Sequence, residues 1–428
     1  MLGVPRLTFD LLIESIQDVV KKNLCISCGA CAVVLEPGAI ELRYDMTHGM
    51  YYPHLRLSKR YNGKGDEFAV CPGKGYSIIG LSLKKENNLP NRNIELGAWH
   101  EIWAARSNDP EILENASSGG AITAIAEYLI KIGEVDGAIV TGIQYGRIGP
   151  RPKAYIATSR KELIKAQGSK YCPSPTLLVL DEVMTMRGCF VYIGTPCQIG
   201  GLRMLQKIMP ELQQKIPFVI GNFCGGFRDY RETDTLIRRE GFMPSTIKRF
   251  RYRGGGQPGN MLMESEAGEI KELPYPQYAK RTGYIKHRRC RLCVDATAEL
   301  ADFSCGDAWL TRFSKTGFPW SIVITRTVTA TKFIKAMARG KHLQLEQIST
   351  AELKEAQRDN LYSKKVRQAA RRRLFLHFGL AIPEFDGGFI SRKGGELYEI
   401  KVILTSFIIY VFERIGLYPI IAKLIGRY

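Results

Sequence analysis

The stretch CFVYIGTPCQIGGLR, residues 189–203, decides the fold class of this chain. Its apolar first half predicts a buried strand, and the Gly-Thr-Pro turn leads into a helical pattern. Cys197 lies at this turn, where a helix N-terminus favours the thiolate form of a cysteine. The stretch therefore predicts a strand–turn–helix unit that presents a nucleophile or a metal ligand at the edge of a sheet.

Further strand-like and helix-like stretches alternate on both sides of this unit. DGAIVTGI (136–143) and PFVIGNF (217–223) have the composition of buried strands, and residues 121–132 and 199–209 have helical periodicity. Strands that alternate with helices favour an α/β fold with a mostly parallel sheet. The turn-rich, cysteine-bearing residues before about position 95 make the whole chain α+β.

The amino-acid composition limits which class of protein this chain can be. A chain of 428 residues with 45% hydrophobic residues is expected to fold into two or three domains. The formal charge of +19 includes basic clusters at 286–291 and 367–374, but no nucleic-acid-binding signature accompanies them. We therefore expect a basic face for an acidic partner protein, an anionic cofactor or an anionic membrane, and no nucleic acid.

Eleven cysteines in a chain without a visible signal peptide predict metal ligands rather than disulfides in a cytoplasmic protein. CISCGAC places Cys25, Cys28 and Cys31 within seven residues, the spacing that wraps a 4Fe–4S cluster. The fourth ligand is predicted to be Cys71, which precedes Pro72, because closing a longer loop costs little additional entropy. Zinc held by the same thiols is the alternative.

Two small-residue loops suggest an anionic cofactor. NASSGGAITAIAEYL (115–129) places serines and glycines before a helix, a pattern that suits a phosphate but is also that of an ordinary helix cap. QGSKYCPSP (167–175) contains Lys170, a cation that would stabilise a reduced flavin ring or would simply be solvated. Each signal is weak alone.

A second group of thiols is predicted around the sheet edge. In GNFCGG, Cys224 follows the end of a predicted strand, as Cys197 does. CRLC supplies Cys290 and Cys293, and ADFSCGDAW adds Cys305. Five cysteines are therefore candidates for the four ligand positions of a second site. Cys172 and Cys189 are predicted to be structural.

Taken together and in order, five motifs resemble the coenzyme F420 hydrogenase/dehydrogenase beta-subunit family, which includes the 7-hydroxymethyl chlorophyll a reductases. The motifs are SSGGAITAIAEYL, GSKYCPSP, GTPCQIGGLR, RYRGGGQPG and CRLCVDATAELADFSCGDAW. The resemblance runs from about residue 23 to about residue 320 and is specific because the motifs occur in sequence.

This resemblance implies an FAD-binding α/β domain with iron–sulfur clusters. It places Ser117, Ser118, Gly119 and Gly120 near the FAD phosphates, and Ser169, Lys170, Tyr171 and Thr195 along the isoalloxazine. It also implies a second 4Fe–4S cluster on Cys197, Cys224, Cys290 and Cys293, with Cys305 as an alternate ligand.

Three regions are predicted. Residues 1–95 would form a ferredoxin-like 4Fe–4S region, and residues 96–390 the FAD-binding domain with the second iron–sulfur site. Residues 391–428 would form an apolar, basic helical tail. Glu413, Arg414 and Pro419 interrupt its apolar run, so interfacial membrane attachment or burial against a partner subunit is favoured over a membrane span.

The resemblance implies an oxidoreductase that moves electrons between two 4Fe–4S clusters and FAD and exchanges hydride with coenzyme F420 or a similar acceptor. In this interpretation the flavin lies between the clusters and a redox partner protein or another oxidoreductase subunit supplies electrons. No acid–base catalytic residue is identified. The alternatives are a stand-alone ferredoxin-dependent reductase of a small organic substrate, and a zinc-stabilised basic binding protein without redox activity.

Overall fold

The structure is a computed structural model, and it describes residues 11–56, 62–82, 89–256, 258–275, 277–278, 286–314 and 318–414. Within these residues, the strands are β1 Ile40–Asp45, β2 Met50–Leu55, β3 Gly75–Tyr76, β4 Asn91–Asn93, β5 Gly97–Trp99, β6 Glu101–Ser107, β7 Gly137–Gln144, β8 Arg151–Ala157, β9 Phe190–Gly194, β10 Phe218–Asn222, β11 Ile247–Gly254, β12 Asn260–Ser265, β13 Ile270–Pro274, β14 Phe303–Asp307, β15 Ser321–Thr325, β16 Leu343–Gln347 and β17 Glu384–Phe385.

The α-helices in the same residues are α1 Ile16–Lys21, α2 Ala30–Val33, α3 Asp66–Ala69, α4 Ile78–Leu81, α5 Pro110–Asn115, α6 Ala121–Lys131, α7 Arg160–Lys165, α8 Leu180–Thr185, α9 Pro196–Ile208, α10 Glu211–Lys215, α11 Tyr230–Arg239, α12 Arg288–Arg291, α13 Thr311–Ser314, α14 Val328–Arg339, α15 Thr350–Ala356, α16 Arg358–Leu361, α17 Gln368–His377 and α18 Glu396–Arg414. A π-helical turn, Tyr362–Val366, joins α16 to α17.

An eight-stranded sheet forms the centre of the fold, in the order β16-β6-β15-β14-β10-β9-β7-β8. Neighbouring strands pair in parallel only from β14 through β10 and β9 to β7; β8, β15, β6 and β16 pair antiparallel with their neighbours. The prediction of a mostly parallel sheet is therefore wrong, although the α/β character is correct. The error arises because β8 follows β7, and β15 follows β14, without a long crossover helix, and such a direct return gives antiparallel pairing.

The predicted strand–turn–helix unit is confirmed as β9 and α9. Helix α9 begins at Pro196, three residues earlier than its apolar periodicity suggested. Proline is favoured in the first turn because its missing N–H would have no helical partner. Gln198 completes the cap, since its Oε1 accepts the backbone N–H of Thr195 at 2.9 Å.

Helices cover both faces of the central sheet. Ile125 of α6 and Ile334 of α14 pack in the core on one face, and Leu202 of α9 packs in the core on the other. The parallel strands are buried on both faces, which explains their continuous apolar sequences. Their carboxyl ends meet at one edge of the sheet, where an α/β fold leaves a crevice for ligands.

Residues outside the sheet tie the two ends of the chain together. The hairpin β1–β2 lies in the N-terminal cysteine region, and β3 of that region pairs in parallel with β17 of the C-terminal region. Helix α18 packs on α17 through Glu399, which accepts hydrogen bonds from Arg367 and Arg371. The three-region division and the ferredoxin-like description stay predictions.

The apolar tail is helical as far as Arg414, and residues 415–428 lie outside the described part of the chain. Helix α18 exposes Leu397, Leu404 and Phe407 by more than half of their surface. In the part of the chain that the structure describes, no helix combines the length and the apolar content that crossing a bilayer requires.

Candidate functional site

A cavity of about 220 Å³ lies at the carboxyl ends of the parallel strands. Strand ends contribute Gly194 of β9, Asn222 of β10 and Asp307 of β14, and the first turn of α6 closes one side. This is the crevice that the doubly wound arrangement predicts for a ligand. Of the eight residues predicted to contact a flavin, six line it: Ser117, Ser118, Gly120, Ser169, Lys170 and Thr195.

Ser117 and Ser118 hold the loop before α6 instead of presenting free hydroxyls to the cavity. The Ser117 hydroxyl donates to the carbonyl of Arg253 at 2.8 Å and accepts the backbone N–H of Ser169 at 2.9 Å. The Ser118 hydroxyl donates to the carbonyl of Trp320 at 2.7 Å. The two serines therefore fasten the loop to the strands around it. The first turn of α6, which no side chain caps, is left at the cavity wall.

The two glycines of this loop have different tasks. Gly120, with φ of +75°, begins α6 in the left-handed conformation that favours glycine. Gly119 lies outside the cavity lining, and a Cβ there would lie 2.5 Å from the carbonyl oxygen of Ala105 and 2.6 Å from the amide nitrogen of Ser321. The structure therefore assigns Gly119 to close backbone packing.

Lys170 is enclosed at the cavity wall. Its Nζ donates to the carbonyl oxygens of Ala166 and, at 3.0 Å, Gln167. Burial lowers the pKa of Lys170 to about 7, with a small opposing effect from Cys172, so the side chain titrates near neutral pH. Tyr171 faces away from the cavity lining and packs edge-on against Tyr252, with ring centroids 5.8 Å apart.

Two buried polar atoms in the cavity wall fit a polar ligand. Gln167 Oε1 and Ser174 Oγ have no hydrogen-bond partner among the described residues, and both residues line the cavity. Buried polar atoms are almost always satisfied in folded proteins, so such atoms indicate a missing partner. Neither residue was among the predicted flavin contacts, although both lie within the motif QGSKYCPSP.

The four N-terminal cysteines Cys25, Cys28, Cys31 and Cys71 line one small enclosed cavity. Backbone amides point at their sulfurs: Ser27 N–H donates to Cys25 Sγ at 3.4 Å, and Gly73 and Lys74 donate to Cys71. Burial, followed by the neighbouring Cys71, raises the pKa of Cys25 to about 12. The structure brings the four predicted ligands together in a dry site with amide donors, the surroundings that iron–sulfur clusters use.

A second group of thiols is formed by Cys197, Cys224, Cys290 and Cys293. Burial, followed by Cys224 and Cys293, raises the pKa of Cys197 to about 11, and burial followed by Cys224 and Cys197 raises the pKa of Cys290. The four predicted ligands are therefore near neighbours. The backbone N–H of Phe227 donates to Cys290 Sγ at 3.5 Å.

Cys305 is not part of this second group. Its pKa is raised by burial alone, without an effect from any other cysteine, and its side chain lines the cavity beside Gly306. Successive side chains of a strand point to opposite faces, and Cys305 of β14 packs in the core on the α6 side. The alternate-ligand hypothesis for Cys305 is therefore disfavoured by position.

The remaining cysteines have protein partners. Cys172 Sγ lies 2.8 Å from the Tyr252 hydroxyl, and Cys189 Sγ donates to the carbonyl of Glu134 at 3.5 Å. Within the described residues, no three His, Cys, Asp or Glu side chains converge as ligands of a single metal ion. A 4Fe–4S cluster differs from such a site because each thiolate binds a different iron.

Two residues connect the thiol groups and the cavity. Arg289 joins the two thiol groups, because its guanidinium donates to the carbonyl of Pro72 at 2.8 Å and precedes Cys290 in the chain. Thr195 joins the second group to the cavity, because it lines the cavity and its hydroxyl lies 3.6 Å from Cys197 Sγ. The second thiol group therefore adjoins both the first group and the cavity.

The two basic clusters of the sequence turn largely inward. Arg289 is 1% exposed, and Arg288 donates to the carbonyls of Lys22 and Ala381 at 2.9 and 2.6 Å. In the second cluster, Arg367 and Arg371 bind Glu399. These arginines hold the elements around the thiol groups together, so they do not form the predicted basic face.

An aromatic surface is connected to the cavity wall through Asp307. Trp309 and Tyr275 are 38% and 47% exposed, and their ring centroids are 5.9 Å apart with an interplanar angle of 31°. Arg253 lies below Trp309 at 5.1 Å and pairs with Asp307 of the cavity wall, Nη1 to Oδ2 at 2.6 Å. We define Tyr275, Trp309 and the Arg253–Asp307 pair as the aromatic surface. Arg253 belongs to the motif RYRGGGQPG, for which no role was predicted.

Residues 102–181 match the family model for the N-terminal part of the coenzyme F420 hydrogenase/dehydrogenase beta subunit, and residues 189–351 match the model for its C terminus. Together the two matches cover more than half of the chain.

The chain belongs to this beta-subunit family.

Similar members include coenzyme F420 hydrogenase subunit beta of Methanothermobacter thermautotrophicus, 30% identical over 56% of this chain and 82% of the relative. The corresponding protein of Methanosarcina barkeri is 29% identical over 58% of this chain and 87% of the relative. The coenzyme F420-dependent sulfite reductase of Methanocaldococcus jannaschii is 25% identical over 90% of this chain, which spans 57% of that protein's length. Membership makes the chain an oxidoreductase of beta-subunit type.

A solved structure shares the fold. One polypeptide of the F420-reducing [NiFe] hydrogenase complex from Methanosarcina barkeri aligns with a TM-score of 0.54 and 22% identity, covering 68% of this chain and 98% of that one. The beta-subunit matches contain the cavity and the second thiol group. The first thiol group, residues 25–71, and the helices after residue 351 lie outside both of them.

Proposed function

We propose that the protein is an iron–sulfur flavoprotein that moves electrons between two 4Fe–4S clusters and FAD and exchanges hydride with coenzyme F420 or a similar deazaflavin. The proposal depends on one observation. The cavity and the second thiol group share the turn between β9 and α9, where the Thr195 hydroxyl lies 3.6 Å from Cys197 Sγ. Such proximity suits electron transfer between a flavin in the cavity and a cluster on the thiols.

The residues around the cavity fit FAD. The uncapped first turn of α6 would receive the phosphates, since helix N-termini attract anions. Gln167 Oε1 and Ser174 Oγ would gain the hydrogen-bond partners that they lack within the described residues. Bound FAD would take up a hydride as an electron pair and release the electrons singly. Lys170, with its pKa near 7, would hold a proton beside the reduced ring.

The thiol groups fit 4Fe–4S clusters. Each contributes four cysteines, and each is shielded from water by buried apolar residues such as Leu24 and Leu292 beside the first group. Hydrogen bonds to the sulfurs and burial are the means by which a protein sets cluster potentials. We infer an electron path that begins at the first cluster, continues through the second and ends at the flavin, and it can run in either direction.

The aromatic surface suits the ring of the hydride carrier. Trp309 and Tyr275 expose their faces beside the cavity, and planar rings stack on such faces. We therefore place the deazaflavin against these residues. Removing the indole by Trp309→Ala should raise the KM for reduced coenzyme F420 several-fold while leaving the flavin content unchanged. An unchanged KM would exclude this docking position.

The names of the relatives suggest that this chain has protein partners. Hydrogenase and formate dehydrogenase beta subunits work beside other subunits by name, and we propose that this chain also exchanges electrons with another oxidoreductase subunit or a redox protein. The exposed apolar side chains of α18 are a candidate contact for such a partner, with peripheral membrane contact as the alternative. Cosedimentation with anionic lipid vesicles separates the two.

Anaerobic purification followed by quantitation of iron, sulfide, zinc and flavin tests the central proposal. We expect about eight irons and eight sulfides per chain, together with FAD. Cys71→Ser and Cys293→Ser should each remove about half of the iron, whereas the matched control Cys172→Ser should remove none, because Cys172 bonds Tyr252. Zinc in place of iron, or a protein without flavin, would support the zinc-stabilised alternative instead.

A further inference from the structure

Lys364 is a buried lysine in the region beyond the family match, which ends at residue 351. It is 3% exposed, and its Nζ lies 3.5 Å from Cys293 Sγ and donates to the carbonyl of Asp295 at 2.7 Å. Burying an ammonium group without compensating charge costs several kcal/mol. Within the described residues, no salt bridge joins Lys364 to a carboxylate, and the acidic groups that act on it are the thiols of Cys293, Cys224 and Cys290 and, as the smallest effect, the buried Asp295.

The backbone around Lys364 is unusual. The π-helical turn Tyr362–Val366 interrupts the helical run from α16 to α17 and points two consecutive lysines inward. Turns of this type often mark functional positions. Lys365, fully buried, is neutralised by Glu299 and donates to the carbonyl of Gly388 at 2.9 Å. The two lysines therefore have different partners. Lys365 forms a buried ion pair with Glu299, and Lys364 donates to Cys293 Sγ.

The next turn of helix holds this arrangement in place. Gln368 Nε2 donates to the carbonyl of Cys293 at 2.7 Å and to that of Arg291 at 2.8 Å. Arg371, one turn further on, donates to the same Arg291 carbonyl. The helix is thus fastened directly to the CRLC loop, and the position of Lys364 relative to the sulfur of Cys293 is fixed by three side chains.

We propose that Lys364 is the counter-charge of the second iron–sulfur cluster and raises its reduction potential, a role that rests on the proposed function. A 4Fe–4S cluster on four thiolates is anionic and becomes more so when it accepts an electron. A fixed cation near a ligand sulfur stabilises the reduced form more than the oxidised form, because the attraction grows with the cluster charge. Lys364, which lies after the family-matched residues, would thereby set the reduction potential of a cluster whose ligands lie within them.

The surroundings of the first thiol group provide a comparison. Its nearest cations are Arg289, which both groups share, and Lys74, which is half-buried and also affects Cys71. In the second group, Lys286 also acts on Cys290 and Cys224, but it is only partly buried, whereas Lys364 is buried and donates to Cys293 Sγ. Lys74 is therefore the counterpart of Lys364 at the first thiol group, and substituting it tests the effect of a nearby cation on the first cluster.

The test is a potentiometric titration of the anaerobically purified full-length protein, monitored by electron paramagnetic resonance. Cys31→Ser and Cys293→Ser assign the two cluster signals. Lys364→Met should shift the midpoint potential of the second cluster to a more negative value and leave the first unchanged, whereas Lys364→Arg should stay near the wild-type value. Lys74→Met should shift the first cluster and leave the second in place.

Each outcome is decisive. A second-cluster potential that is the same in wild type and Lys364→Met overturns the proposal while leaving the proposed function intact. If Lys364→Met fails to assemble the second cluster and Lys364→Arg assembles it at the wild-type potential, the requirement for charge is supported. Loss of the cluster in both variants would show a role in packing and overturn it. Wild-type protein without iron would defeat the proposed function itself.

Discussion

The guanidinium of Arg289 donates two hydrogen bonds to the carbonyl oxygen of Pro72, from Nε at 3.1 Å and from Nη2 at 2.8 Å. Pro72 follows Cys71 of the first thiol group, and Arg289 precedes Cys290 of the second. Nη1 of Arg289 has no hydrogen-bond partner among the described residues. This buried residue therefore connects the two groups and has a donor left for a cluster.

Arg289→Met should lower the reduction potentials of both clusters, because the shared cation would be lost from both sites. Losing the charged hydrogen bonds should also reduce the free energy of unfolding by about 2–3 kcal/mol. Potentiometry and chemical unfolding measure the two effects. Arg288→Met is the matched control, since Arg288 bonds the carbonyls of Lys22 and Ala381; a shift of equal size in both variants would contradict the bridging role.

Cys305→Ala should leave the iron content at the wild-type level. Its side chain packs in the core on the α6 side of β14, and burial raises its pKa without an effect from another cysteine. Cys293→Ala, by contrast, should remove about four irons per chain. Iron and sulfide analysis of the two variants decides the question, and loss of iron in Cys305→Ala would restore it as a ligand.

Reduced FAD should bind more weakly to the flavin-free protein as pH rises above about 7. The buried Lys170 loses its proton near that pH, and the anionic reduced ring then loses its neighbouring cation. The apparent dissociation constant should increase by up to about tenfold per pH unit. Lys170→Met should bind weakly at all pH values, and Lys170→Arg should bind with little pH dependence; identical profiles in all three proteins would exclude the contact.

The same pKa has a consequence for stability. Because the pKa of Lys170 is lower in the folded protein than in the unfolded chain, the unfolded chain binds more protons between about pH 7 and pH 10. The free energy of unfolding of the flavin-free protein should therefore gain a contribution that rises with pH across this window. Lys170→Met should lack that rise when urea unfolding is compared at several pH values.

Gly119→Ala should destabilise the protein by about 1–3 kcal/mol, because its Cβ would press on the backbone of Ala105 and Ser321. Gly146→Ala is the matched control, since a Cβ at that position meets no atom within 4 Å. Chemical unfolding measures both. Equal stabilities would indicate that the loop can shift to accept a side chain, and that Gly119 is not required for packing.

The sequence was informative where a function depends on local spacing. The run from Cys25 to Cys31 and the unit from β9 to α9 were predictable because all of their determinants lie within a few residues. Six of the eight residues predicted to contact a flavin line the cavity for the same reason. Gly119 and Tyr171 lie outside its lining because neighbours in a loop need not face the same way.

Antiparallel pairing at the sheet edges was missed because strand direction depends on how the chain returns, and strand periodicity does not reveal direction. The roles of Arg289 and Lys364 were missed because charged residues usually face water. Here both side chains lie against the second thiol group, which is assembled from α9, the segment after β10 and the CRLC loop.

From its order of residues alone, this chain determines a three-cysteine loop, several buried apolar strands and a small-residue loop before a helix, since each is set by neighbours in the chain. Tertiary structure alone decides that Cys305 lines the cavity, whereas Cys293 lies near the other cysteines of the second thiol group and Lys364. The reason is that a side chain's surroundings depend on strand pairing and on contacts across 71 residues of chain, as between Cys293 and Lys364.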